Sequence, residues 1–300
     1  MEKSSRRQFL GRLAPLGLAV LAGEAAVPSA LSGQVVIGEK PPDERLCLRK
    51  FMLAKKESLQ TRSMGEVMVA VGTSFIGTPY VAHTLEQPGE EHLVVNLRGL
   101  DCVTFVENTL ALSQCIKLGQ HSFEEYKQQL QRLRYRKGVI DGYPSRLHYF
   151  SDWIDDNETK KVVRNVTREA GGVPFEKKLS FMSSHPSAYR QMGYPAIREK
   201  VRETESMINT RRHFYIRKQQ LHDVEKKIEA GDIIGITTSI EGLDIIHTGL
   251  AVRANGVLRY LHAPLSKGTV QIAEQSLVDY LMGHEKYTGV MVARPQEPGA

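Results

Sequence analysis

The sequence predicts an α+β fold, with helices in the first half and an antiparallel sheet in the last third. Three observations carry this. From Cys102 to Leu118 the apolar residues Val103, Phe105, Val106, Leu110, Leu112 and Ile116 cover more than one face of a helix, so that helix is expected to be buried on most sides. Short β-type runs recur at 232–237, 244–252, 257–263, 269–272 and 287–292. Between the second and third of them stands Asn255-Gly256, the strongest short-range hairpin signal.

Taken in order, residues 43–59 and 64–75 show helical periodicity, and Gly77-Thr78-Pro79 then breaks the chain. Leu93-Val94-Val95 has the composition of a short strand, and residues 123–136 form a polar amphipathic helix after the buried one. Residues 138–225 hold turn signals at Tyr143-Pro144 and Gly171-Gly172 and are expected to insert loops and strands between the two halves of the core. A short helix at 275–282 precedes the final strand.

Residues 1–30 are expected to lie outside the fold. Ser5-Arg6-Arg7-Gln8-Phe9-Leu10 has the paired arginines of a twin-arginine export signal. The apolar stretch at 13–22 is too short to span a bilayer, and small residues follow it. The expectation is an exported, periplasmic protein that uses the twin-arginine machinery, with one domain from residue 43 to 300 and no membrane span in the mature chain. A net charge of +6 over 300 residues, with no run of five like charges, gives no sign of a nucleic-acid partner. Three cysteines are an odd set, so at least one thiol is free.

Cys102 follows Asp101, a good N-cap, and so opens the buried helix. Unpaired N–H groups at a helix start favour a thiolate and can donate to an oxyanion, so a lowered thiol pKa is expected there. The hairpin supplies a base. If Asn255-Gly256 is a two-residue turn, Ala254 pairs with Val257 and Gly249 with His262. His247 and His262 then share a sheet face as diagonal neighbours, at roughly 7–8 Å by backbone geometry. Both are expected to face the cysteine helix, in the order nucleophile, base, orienter. A zinc site is the competing reading, since Cys and two His are good ligands. No CxxC or HExxH spacing and no evident fourth ligand support it, so catalysis is preferred to a zinc site.

These residues resemble a known family. Asp101-Cys102 at a helix start, His247-Thr248-Gly249 and Leu261-His262-Ala263 are similar to the NlpC cell-wall cysteine peptidase superfamily. The closer likeness is to its N-acetylmuramoyl-L-alanine amidase-like branch, through residues 100–107, 142–149 with Asp152-Trp153, 182–186 and 231–234. The resemblance implies a papain-like core and hydrolysis, through an acyl-enzyme and with neither metal nor organic cofactor, of the muramoyl–L-Ala amide of peptidoglycan-derived muropeptides. Cys102 would be nucleophile, His247 base and His262 orienter. Tyr80 and Asp101 would stand near the nucleophile, and Arg146, His148, Tyr149, Trp153, Ser183 and Ser184 would contribute to the substrate cleft. Val103-Thr104 replaces the more familiar Ser-Gly, which argues against a standard endopeptidase pocket. Cleavage of the γ-D-Glu–diamino acid bond, or non-catalytic peptide or lipid binding, are the alternatives that the resemblance leaves.

Overall fold

The computed structural model describes residues 40–299, so the paired-arginine segment lies outside the described residues. Helices α1 (Pro42–Lys56), α2 (Met64–Thr73), α3 (Cys102–Leu118) and α4 (Phe123–Arg134) make the first half. Helix α5 (Phe150–Thr159) follows, then strands β1 (Val163–Asn165) and β2 (Val173–Phe175), α6 (Phe181–Ser184), α7 (Pro195–Ile208), β3 (His213–Arg217) and α8 (Leu221–Val224). The last third is β4 (Ile233–Thr238), β5 (Ile245–Ala254), β6 (Val257–His262), β7 (Gln271–Ile272), α9 (Leu277–Met282) and β8 (Tyr287–Pro295). Helices and an antiparallel sheet thus segregate along the chain as an α+β protein. Among the described residues no helix is long and apolar enough to cross a membrane.

The strands form one antiparallel sheet in the order β2-β3-β8-β4-β5-β6-β7, with β1 also paired to β8. Strands from the middle region therefore extend the same sheet. Asn255 and Gly256 both have positive φ, 52° and 79°, as the tight turn requires. The resulting register sets Ala254 opposite Val257 and Gly249 opposite His262, the pairing that the turn predicts.

Period-two alternation gives the sheet two apolar faces. One carries Ile233, Leu250, Val252, Leu261, Met291 and Ala293 and packs with α2 and α3. The other carries Ile234, Ile236, Ala251, Tyr260, Val290 and Val292, and α9 covers it through Leu277 and Leu281. Every residue of α3 from Thr104 to Ile116 is buried, as its all-round apolar pattern predicts.

Leu93-Val94-Val95 does not form a strand. It pairs in no ladder, and buried side chains claim its backbone: the Arg134 guanidinium donates to the Val94 carbonyl. Arg134 also pairs at 2.7 Å with Glu107 of α3, both fully enclosed. Burial raises the Glu107 pKa, and the guanidinium opposes that rise. Tyr135 and Arg146 hold the same loop through Glu91, the His92 carbonyl, Glu86 and the Leu85 carbonyl.

Candidate active site

Asp101 caps α3. Its carboxylate accepts the Thr104 N–H at 2.8 Å, and the Thr104 hydroxyl accepts the Asp101 N–H at 2.9 Å. This reciprocal box fixes the helix start, so Cys102 sits on its first turn. The cysteine keeps part of its surface open. Two residues upstream, Leu100 is bridged to Tyr80, and the Tyr80 N–H bonds to the Gly268 carbonyl at 2.7 Å. Tyr80 is thereby fastened beside the segment that carries the cysteine.

On β5 and β6, His247 Nε2 lies 2.7 Å from His262 Nδ1. Gly249 permits this: a Cβ there would stand 2.9 Å from the His262 Cβ and 2.8 Å from the Tyr260 ring. The same contacts show which way the imidazoles point. They share the face of Tyr260 and Ile236, whereas Thr248 and Leu250, of opposite parity, look toward α3. The expectation that both histidines face the helix is corrected here. Helix and imidazoles lie on opposite faces of the sheet, because alternation turns Thr248, not its neighbour, to α3. The Thr248 hydroxyl donates to the Cys102 carbonyl at 2.7 Å. Burial raises the pKa values of Tyr260, Tyr280 and Tyr287, and charge at Cys102 adds to each rise, which puts the thiol within electrostatic reach of these rings.

Electrostatics also depart from expectation. Burial pushes the Cys102 thiol up to about 11, and the Asp101 carboxylate adds to the rise; hydrogen bonds from Thr248 and Val103 act the other way. Desolvation outweighs the helix start, so the resting sulfur is a thiol. Burial also lowers both imidazoles, His247 to about 4, and the nearby His284 disfavours charge on each. The resting trio is neutral throughout.

The second group of sequence-predicted residues gathers elsewhere, around Glu205 of α7. Tyr149 donates to Glu205 at 2.7 Å and accepts the Met182 N–H, while the Ser183 N–H also reaches Glu205. Ser184 is exposed. His148 Nε2 bonds the Tyr143 carbonyl at 2.9 Å. Two of these residues are largely withdrawn from solvent. Arg146 is only 5% exposed, its charge already met by Glu86 and Glu91. Trp153 is 0% exposed and stacks on Phe150 in the core. What joins this group to the histidines is α5, whose Ser151 N–H donates to Asp244 at the start of β5.

Residues not foreseen complete the surroundings. Tyr260, Tyr280, His284 and Tyr287 form a chain of ring contacts beside His262. Tyr260 was readable from the hairpin register, which sets it opposite Ala251 on the histidine face. Tyr280 comes from α9 and Tyr287 from β8, and no local signal announces either. A cavity of about 490 Å³ lies off the other end of β4, lined by Arg62, Glu66, Glu229, Asp232, Arg294 and Glu297. Its charges are largely engaged with one another, Arg294 with both Asp232 and Glu229. Among the described residues, no three His, Cys, Asp or Glu side chains are arranged as a metal-ligand set.

The family model for N-acetylmuramoyl-L-alanine amidase-like proteins matches residues 70–290, which takes in Cys102, both histidines and the intervening strands. The chain belongs to the N-acetylmuramoyl-L-alanine amidase-like family. The chain is similar to an N-acetylmuramoyl-L-alanine amidase from Bacteroides uniformis at 37% identity and a TM-score of 0.75, over 78% of this chain and 99% of that one. A Bacteroides fragilis protein described as a xylanase aligns at 36% identity and TM-score 0.72, over 75% and 99% of the two chains. A Legionella pneumophila protein at 21% identity and TM-score 0.62 shares the fold, over 85% and 97%. No curated protein matches the chain.

Proposed function

We propose that this family member is an exported cysteine amidase that hydrolyses the N-acetylmuramoyl–L-alanine amide of muropeptides. The observation that carries the reading is the bonded pair His247–His262, of which His247 lies on the strand that Thr248 ties to Cys102 at the start of α3. This is a papain-like order of groups: sulfur at a helix start, imidazole on a strand, and a second polar ring behind it.

In this reading the neutral sulfur and neutral imidazole react together. Sγ attacks the lactyl carbonyl carbon as its proton passes to His247, and the carbonyl π-electrons move to oxygen. The resulting imidazolium donates its Nε2–H to His262. The oxyanion takes hydrogen bonds from N–H groups at the start of α3, with Tyr80 on the other side. Collapse expels the L-Ala amine, which takes the proton back from His247, and leaves a thioester on Cys102. Water then attacks the thioester with the same base, releasing the muramic carboxylate and the thiol.

The family name and the amidase name of the Bacteroides uniformis neighbour support the lactyl–L-Ala bond as target. The paired arginines in residues 1–30 support twin-arginine export. Digestion of a disaccharide-tetrapeptide with mass analysis tests the bond. Release of intact tetrapeptide with a free L-Ala amino terminus is expected, whereas a sugar-linked dipeptide would assign cleavage to the γ-D-Glu linkage.

A further inference from the structure

His262 is 1% exposed, and its two ring nitrogens have different surroundings. Nδ1 meets His247 at 2.7 Å, while Nε2 is buried without a hydrogen-bond partner. A buried polar atom left unsatisfied is costly, so its neighbours matter. Two rings adjoin His262. Tyr260 is tilted at 39° with centroids 4.7 Å apart, and Tyr280 stands nearly perpendicular, at 84° and 5.2 Å. Perpendicular rings at that separation bring an edge against a π face, where an N–H can be accepted. Tyr280 is itself steadied by ring contacts to Tyr260 and His284.

We propose that the face of Tyr280 accepts the Nε2–H of His262 and so selects the tautomer in which Nδ1 is an acceptor. The consequence passes along the pair. With His262 Nδ1 unprotonated, His247 must donate from Nε2, which leaves its Nδ1 lone pair available to take a proton. In the other tautomer His262 donates, His247 carries its proton on Nδ1, and no lone pair faces outward. Tyr280 is thus a positioning residue that acts through two imidazoles. The catalytic part of this inference rests on the reading of His247 as base; the tautomer itself does not.

Long-range ¹H–¹⁵N spectra of the labelled protein test it, with the His262 signals assigned by their loss in His262→Gln. Wild type is expected to show a pyridine-like Nδ1 and a protonated Nε2 whose proton is shifted upfield by ring current. Tyr280→Phe should keep both features. Tyr280→Leu should populate the Nδ1–H form and lower kcat roughly fivefold, the scale of one weak contact, with KM changed by less than about twofold. A protonated Nδ1 in wild type, an Nε2 proton without upfield shift, or an unchanged tautomer in Tyr280→Leu overturns the proposal. The wild-type and Tyr280→Phe spectra decide it even if Tyr280→Leu does not fold. Because the spectra need no turnover, failure to cleave muropeptides would sink the amidase reading and leave this one standing.

Discussion

Thr248 donates its hydroxyl to the backbone carbonyl of Cys102 at 2.7 Å, so the residue next to His247 is tied directly to the first residue of α3. The tie sets the spacing of sulfur and imidazole from the backbone, independently of either reactive group. Thr248→Val keeps the shape and removes the bond. It should cost about 1 kcal/mol of stability by urea unfolding. It should also lower kcat on a muropeptide roughly tenfold or more, since small misplacements are expensive in catalysis. Thr248→Ser should retain most activity; equal loss in both variants would refute the tie as the cause.

Cys102→Ala and His247→Ala should each abolish turnover with the circular-dichroism spectrum unchanged, because residues acting as a unit are not additive. His262→Asn, which can still accept the His247 N–H, should retain more kcat than His262→Ala. Measurable hydrolysis by Cys102→Ala would end the cysteine mechanism.

The pH dependence of the reaction follows from burial. His247 stays neutral down to about 4, so kcat/KM should hold its plateau below pH 6.5 and fall only as the solution nears that value. The thiol pKa of about 11 makes the opposite limb visible by alkylation. Iodoacetamide modification of Cys102 should be slow at pH 7 and rise about tenfold per pH unit toward the alkaline end. Fast modification at neutral pH would show a preformed thiolate instead.

Acid should also unfold the protein early. Burial lowers His148 to about 3 and depresses His247 and His262 too. Their folded pKa values lie below the unfolded 6.5, so their contribution is complete above 6.5 and is lost as pH falls toward the folded values. Three such protons give a slope of roughly 4 kcal/mol per pH unit between about 6 and 4. Urea titrations across that range measure it, and a flat profile would contradict neutral burial.

The buried pair Glu107–Arg134 joins α3 to α4. Glu107→Gln leaves an enclosed guanidinium without its counter-charge and should cost about 3–5 kcal/mol. The double variant Glu107→Leu with Arg134→Met should recover most of that loss. Denaturant midpoints of the three variants provide the comparison.

The hairpin was legible because a two-residue Asn-Gly turn counts register outward pair by pair, and side-chain parity then follows. The same count gave Gly249 opposite His262, and on its way there it passes Tyr260 opposite Ala251. It could not tell which face α3 would cover, since both faces of β5 are apolar and only tertiary packing chooses. The guanidinium of Arg146 looked available because a sequence shows charge but not partners; Glu86 and Glu91 lie 60 and 55 residues away. The cysteine pKa went astray for a related reason. A helix start is visible in the sequence, whereas the desolvation that outweighs it comes from strands far along the chain.

The exposed Asn255-Gly256 turn is a practical handle. It lies eight residues along β5 from His247, roughly 26 Å at ordinary strand rise. Both turn residues point into solvent, and the hairpin behind them is pinned by six backbone pairings. A fluorophore, affinity tag or surface linker grafted there would tether the protein with its reactive end facing away from the support. Immobilised in that orientation, it could be offered insoluble wall fragments without the anchor standing in their path.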